Sequence, residues 1–311
     1  MHLLPSPNDQ TGFHRALAHF NHDRVEPALP HGDWEEVLTN NLQFTLAEGR
    51  FLEQMRHAVA PALPSADLGT DEFLEWFEAL QVTGAGQQHD LFNWLAEQAD
   101  MDAMRWFLTQ EAAGEAGFDD LLAFTQVRLP SQAKLECARN FWDEMGHGKL
   151  GAMHAEMLDK MVRDLGLAPC IDTTVWESLA LSNTMLGLAI SRRYTYQSLG
   201  ALGVIELTAP GRVKKVAAGM TRLGLAPRSR AYFDVHATLD VFHARTWLQQ
   251  VIRPLIDADP QLARSIAEGA LMRLACGSDC FDRYAEELTQ SFERGDDPMP
   301  SSVPKPQSAN C

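Results

Sequence analysis

The chain has 311 residues, 45% of them hydrophobic and 22% charged, a composition that supports a self-folding core and excludes wholesale disorder, fibrous repeats and dependence on disulfide or zinc staples. Its 42 acidic against 26 basic side chains give a formal charge of −16, which repels a phosphate backbone, so no nucleic acid partner is expected. Five scattered cysteines (Cys137, Cys170, Cys276, Cys280, Cys311) form no CxxC pair, Pro5, Pro7 and Asp9 interrupt the amino terminus, and no apolar run reaches membrane-spanning length. The expected setting is a reducing, cytoplasmic one, without a membrane span.

In chain order, residues 1–40 carry Pro, Asn, His and Asp with little periodicity and are expected to form an N-terminal arm. Residues 41–293 read as one helical domain. NLQFTLAEGRFLEQMRHAV, DEFLEWFEAL and QHDLFNWLAEQ each place apolar residues three and four apart, and Trp76, Phe77, Phe92, Trp94, Trp106 and Phe107 fall at core spacing. DAMRWFLTQEAAGEAG and FDDLLAFTQVRL follow, joined through Gly114 and Gly117 and stopped at Pro130. Ser131 then opens a long helix to Gly166, in which Gly146, Gly148 and Gly151 predict a distortion. Further helices run from Thr173 to a stop at Pro210, over GRVKKVAAGMTRLG, through SRAYFDVHATLDVFHARTWLQQVIRPLI and through PQLARSIAEGALMRLACGSDCFDRYAEEL. No strand pair is evident, so the fold class is all-α. The Pro/Ser-rich residues 294–311 are expected to be a disordered tail.

The strongest chemical pattern is His236, Asp240 and His243 in YFDVHATLDVFH. At about 100° per residue, steps of four and three keep these side chains within an arc of about 60°. Imidazole with carboxylate suits iron, manganese or zinc, whereas calcium and magnesium prefer oxygen-only shells. Glu144 with His147 forms a Glu-x-x-His step, and His154 lies on the same face as His147. Glu206, flanked by Val204, Ile205 and Leu207, is a carboxylate in an otherwise apolar helix, costly to bury without a positive partner. Glu111 and Glu115 lie one turn apart. These donors match the inventory of a carboxylate-bridged dinuclear site with positions open to dioxygen.

With WDEMGHG, MHAEML, GVIELTAP and RLGLAPRSRAYFDVHATLDVFH in view, the chain resembles, over roughly residues 100–260, the haem-oxygenase-like di-metal oxidases, the "iron-containing redox enzyme" family. The resemblance implies a haem-oxygenase-like helical bundle with additional N-terminal helices. It also implies a non-haem di-iron oxidase or oxygenase that activates O2 to oxidise a small organic substrate of amine, amino acid or fatty acid type. Carried over residue by residue, the ligands would be Glu111 or Glu115, then Glu144, His154, and the His236, Asp240, His243 set. His154 is preferred over His147 because MHAEML matches the family's histidine segment. Several members carry a further glutamate where this chain has Gly151; either Glu206 replaces it or the second metal binds weakly. The implied cofactor is two Fe (Fe2+/Fe3+), with Mn as a substitute. An external electron donor and a homodimer accompany the reading by analogy. Arg193 and Tyr196, in SRRYTYQ, are expected to face the cavity and bind substrate.

Two readings compete. A metal-independent hydrolase of the thiaminase-like branch of the fold would need a reactive cysteine, for which Cys137 is the one cysteine on the proposed site helices. A non-catalytic helical binding protein would need none of the donors.

Overall fold

The computed structural model describes residue 5, residues 9–30 and residues 32–293, with the side chains of 290–293 left aside. The expected tail, residues 294–311, lies outside the described residues. No strand occurs among the described residues, and no described helix is long and apolar enough to cross a membrane.

The order is α1 (Gln10–Val25), α2 (Trp34–Val59), α3 (Thr70–Thr83), α4 (Leu91–Glu97), α5 (Met101–Gly114), α6 (Phe118–Thr125), α7 (Ser131–Glu144), α8 (His154–Leu165), α9 (Trp176–Ile190), α10 (Thr195–Arg222), α11 (Ala231–Trp247), α12 (Arg253–Ala258) and α13 (Leu262–Glu293). Local chemistry sets the starts. Asp33 accepts from the Glu35 and Glu36 amides at the head of α2, Asp100 accepts from Ala103 at the head of α5, and Glu72 reaches back to the Gly69 amide at the head of α3.

Within residues 1–40, α1 is capped by Asp9, buries Leu17 and Phe20 and packs on α9. Two expectations are corrected. The long helix from Ser131 is two helices. Gly146, His147 and Gly148 all take positive φ, which ends α7, and the chain folds back so tightly that a Cβ on Gly146 would lie 2.3 Å from the Ala152 carbonyl carbon. Pro210 does not stop its helix, since α10 runs through it. Pro210 is buried, and nearby carbonyls gain side-chain donors: Gln81 Nε2 bonds Leu207 O at 3.1 Å, and Arg212 bonds Thr208 O at 3.0 Å. Tertiary packing around α10 therefore outweighs the local cost of about 3 kcal/mol for a proline in a helix.

α10 is the central helix, packed against α13, α11, α4, α3 and α9. It approaches α13 at reciprocal glycines. A Cβ on Gly200 would meet Ile266 O at 1.9 Å, and one on Gly269 would meet Gln197 O at 1.8 Å. It approaches α11 at Gly203, where a Cβ would fall 2.5 Å from Trp247 Cδ1, and Trp247 Nε1 donates to Leu199 O at 3.1 Å. One turn beyond Gly203 stands Glu206, and one turn before Trp247 stands His243, so this contact aligns the two. Beyond α11 the backbone widens into a π turn over Leu248–Ile252. Pro254 lacks the N–H that Gln250 O would need in an α-helix, and the wider turn accommodates its ring.

Of three apolar clusters, the two larger build the core around α11. Cys137 and Trp247 belong to one, Met161 and Phe233 to the other. α11 spans both, and His236, Asp240 and His243 occupy the stretch of α11 between them.

Because Gly200 and Gly269 meet backbone that cannot yield, Gly200→Ala and Gly269→Ala should each destabilise the protein by about 1–3 kcal/mol. Gly211, on the same α10 but with nothing within 4 Å, should tolerate alanine with a gain of up to about 1 kcal/mol. Equal thermal shifts for the three variants would contradict this packing account.

Candidate metal centre

The turn after α7 is what assembles the first group. In a continuous helix, Glu144 and His154 would be separated by about 15 Å along the axis. Here His154 Nδ1 lies 2.7 Å from Glu144 Oε2 and 3.1 Å from His236 Nε2, and His236 Nε2 lies 4.0 Å from Glu144 Oε1. Glu144 and His154 are buried, and His236 is half-buried. His236 Nδ1 sits 2.6 Å from Tyr232 O. A carbonyl only accepts, so Nδ1 carries the proton and Nε2 presents its lone pair to His154 Nδ1. Burial and the neighbouring His154 hold His236 down at about 4, against the pull of Glu144.

The second group is Glu206, Asp240 and His243, all buried. Asn140 Nδ2 donates to Glu206 Oε1 at 2.6 Å. His243 Nε2 lies 3.0 Å from Asp143 Oδ2, which turns Nδ1 toward Glu206 Oε2 at 3.4 Å, outside hydrogen-bond geometry. Asp240 Oδ1 and His243 Nδ1 are buried with no hydrogen-bond partner. Burial, then Glu206 and Glu144, push Asp240 up to about 10. Burial likewise raises Glu206, and His243 is lifted to about 9 because Glu206 and Asp143 outweigh its burial. Glu144 raises both Glu206 and Asp240, so the two groups form one electrostatic site.

The donor set fits a pair of transition ions. Each group has one atom from each of three residues within 4.8 Å of the others. Imidazoles and three carboxylates converge, Glu206, Asp240 and His243 all titrating above their ordinary values, and two buried atoms have no partner. A divalent cation satisfies all of these at once, and the carboxylate of Asp143 on the far nitrogen of His243 is the outer support such a ligand takes.

The other sequence candidates fall elsewhere. Glu115, at the C-terminus of α5, lines a cavity beside the centre; burial, then Glu111 and Glu144, raise it to about 6, and Tyr232 Oη donates to its Oε2 at 3.3 Å. By surface area Glu115 is exposed, but that surface lines the cavity. Glu111 lines the same cavity in the field of Arg212 and Arg273 and belongs to neither group. His147 is exposed, left-handed in backbone, stacked near Trp142 and bonded to Asp143 Oδ1 at 2.5 Å, away from both groups. The expected substrate-binding pair is corrected: Arg193 is an exposed partner of Glu53, Tyr196 packs on the apolar core, and neither lines the cavity. Cys137 is fully buried, its thiol pushed up to about 12 by burial, and lines no cavity described here.

Sequence reasoning did not find Asp143, Asn140, Tyr232 or Arg273. Tyr232 carried a signal, since it lies one turn before His236. The others had none, because their roles depend on how helices meet.

The cavity measures about 130 Å3. Its walls include Phe118, Leu121, Leu181, Met185, Ile205 and Val213, with Glu144, Glu206, His236 and Asp240 at the candidate centre. The helical architecture around it is a known one. A CADD-like protein of unknown function from Nostoc punctiforme superposes with a TM-score of 0.55 at 17% identity, covering 71% of this chain and 96% of that one; a second structure of that protein gives 0.54 at 18%, covering 70% and 98%. A domain of unknown function with a heme oxygenase-like fold from Shewanella denitrificans gives 0.53 at 15%, covering 73% and 94%. The fold is haem-oxygenase-like. Residues 105–278 match the model of the family described as iron-containing redox enzyme, and the chain belongs to that family. No functionally curated protein matches it.

With no metal bound, the buried carboxylates set a pH dependence. Asp240, raised to about 10, and His243, raised to about 9, each hold a proton in the folded state that the unfolded chain releases at lower pH. Stability from Asp240 is therefore lost as pH rises from the ordinary aspartate value near 3.8 up to about 10, and stability from His243 from near 6.5 up to about 9. Over the latter window His236 is neutral folded and largely neutral unfolded, so it does not oppose the trend. The melting temperature of chelated protein should fall between pH 6.5 and 9. Asp240→Asn should flatten that slope and stabilise the chelated protein at pH 8 by about 1–4 kcal/mol; a less stable variant with an unchanged slope would contradict the charge argument.

Proposed function

We propose that the chain is a dioxygen-dependent, non-haem di-iron oxidase or oxygenase acting on a small organic substrate. The observation that carries this reading is the pair of three-residue groups, coupled through Glu144 and containing the partnerless Asp240 Oδ1 and His243 Nδ1, at the wall of a partly open cavity lined by both apolar and charged side chains. Glu144, His154 and His236 would hold one ion and Glu206, Asp240 and His243 the other, with Glu115 the nearest further carboxylate. When bound, two ferrous ions supply electrons and open coordination positions for dioxygen. An external donor would return those electrons between turnovers, and manganese is the natural substitute metal.

This chain's own groups do the rest. Tyr232 O and Asp143 fix the tautomers of His236 and His243, and Asn140 holds Glu206. Phe118, Leu121, Met185 and Ile205 give the cavity an apolar side beside the centre. Glu115, with a pKa of about 6 and the Tyr232 hydroxyl at its Oε2, is suited to take or give a proton at the cavity surface near neutral pH. The thiol-hydrolase alternative gains no support, because Cys137 is enclosed and protonated.

Anaerobic titration of metal-free protein with ferrous iron should give two ions per chain. Admitting oxygen should produce a transient visible absorption band and iron-dependent oxygen uptake. His236→Ala and His243→Ala should each remove at least one ion per chain and abolish the band. Binding of neither iron nor manganese, or oxygen uptake indifferent to iron, ends the proposal.

A further inference from the structure

The cavity holds one cation that the metal chemistry does not use. Arg273 reaches it from α13, an element that supplies none of the six grouped donors. Among the described residues no hydrogen bond or ion pair joins the Arg273 guanidinium to a protein group, and its Nε is buried without a partner. A guanidinium cannot shed its charge to escape this position, so an arginine that faces the cavity without a paired carboxylate is suited to an anion. The cavity also carries Glu111, Glu115, Glu144, Glu206 and Asp240, but four of these belong to or adjoin the candidate centre and none forms an ion pair with Arg273. Glu111, the carboxylate on which Arg273 acts, is shared with Arg212. Arg212 is itself enclosed, donates to Gln87 Oε1 and Thr208 O, and lies over the rings of Phe92 and Phe281. Arg212 is further offset by Asp240, and of the two guanidinium groups only Arg273 lines the cavity.

We propose that Arg273 anchors the carboxylate of the substrate, and that the substrate class is a small organic carboxylate with an apolar or aromatic body. This rests on reading the cavity as the substrate chamber of the proposed oxidase. The planar fork of arginine matches a carboxylate through two parallel N–H···O bonds, strongest where water is excluded. The remaining walls, Phe118, Leu121, Leu181, Met185 and Ile205, accept hydrocarbon. The volume of about 130 Å3 is close to the ~150 Å3 that accepts a benzene-sized guest, which limits the enclosed body to about that size. Held by its carboxylate at Arg273, such a molecule has its orientation toward the grouped donors fixed, and substrates without the acid lose that register.

Benzoate and its neutral isostere benzamide are suitable probes, titrated calorimetrically into the full-length protein, both chelated and loaded anaerobically with ferrous iron. Chelated protein isolates the arginine, because no metal is then available to bind the acid. Wild type should bind benzoate at least 10-fold more tightly than benzamide in both forms. Arg273→Gln should lose that preference while keeping its benzamide affinity and its iron stoichiometry, and Arg273→Lys should keep part of it. Equal affinities for the two probes in wild type, or a preference that survives in Arg273→Gln, overturns the assignment. If Arg273→Gln does not fold, the wild-type ratio and the Lys variant still decide it. Iron stoichiometry, read separately, shows whether the metal reading fails instead.

Discussion

Packing Glu144, Glu206 and Asp240 together, each 5% exposed or less, sets like charges against each other where water cannot screen them. A protein does this at a cost of several kcal/mol per ion unless a cation joins them. The nearby imidazoles do not relieve the strain by themselves. His236 spends its proton on a backbone carbonyl and turns a lone pair inward, and His243, committed on one side to Asp143, leaves its Nδ1 buried without a hydrogen-bond partner. Without metal the centre borrows protons, which is why Asp240 and His243 both titrate far above their ordinary values. The arrangement is costly as a structural feature and sensible as a metal-binding one.

The surrounding fold serves to hold that arrangement in place. Gly200 and Gly269 let α10 and α13 touch backbone to backbone, and Gly203 lets Trp247 seat against α10, one turn from Glu206 on one side and from His243 on the other. The left-handed stretch Gly146 to Gly148 converts a ten-residue separation into direct contact between Glu144 and His154. These glycines are therefore positioning elements for the centre, although none touches it.

Much of this could be read in the chain itself. Helical period gave the all-α class, and the spacing of His236, Asp240 and His243 on one helix brought all three to the centre, because residues within one helix have a relative geometry fixed by its pitch; that they divide there, His236 with Glu144 and His154, Asp240 and His243 with Glu206, depends on the other helices. Legibility failed where geometry comes from contacts between elements. Nothing in the spacing separates His147 from His154, since the turn that buries one and exposes the other depends on the chain folding back onto Ala152. Pro210 looked like a stop because its local penalty is visible and the packing that overrides it is not. Arg193 and Arg273 illustrate the same limit: the arginine in a conspicuous cluster pairs with Glu53 at the surface, while the one in an ordinary amphipathic helix faces the cavity.

The account therefore joins a haem-oxygenase-like fold and membership of the iron-containing redox enzyme family to a centre whose charge distribution calls for cations and a cavity whose free arginine calls for an acid. Its central claim is spatial, and anomalous X-ray scattering at the iron edge, from crystals loaded anaerobically with ferrous iron, tests it most directly. Two peaks are expected, one among Glu144, His154 and His236 and one among Glu206, Asp240 and His243. Iron found instead at the surface, for example on His147, with the six donors unchanged and unoccupied, would contradict it.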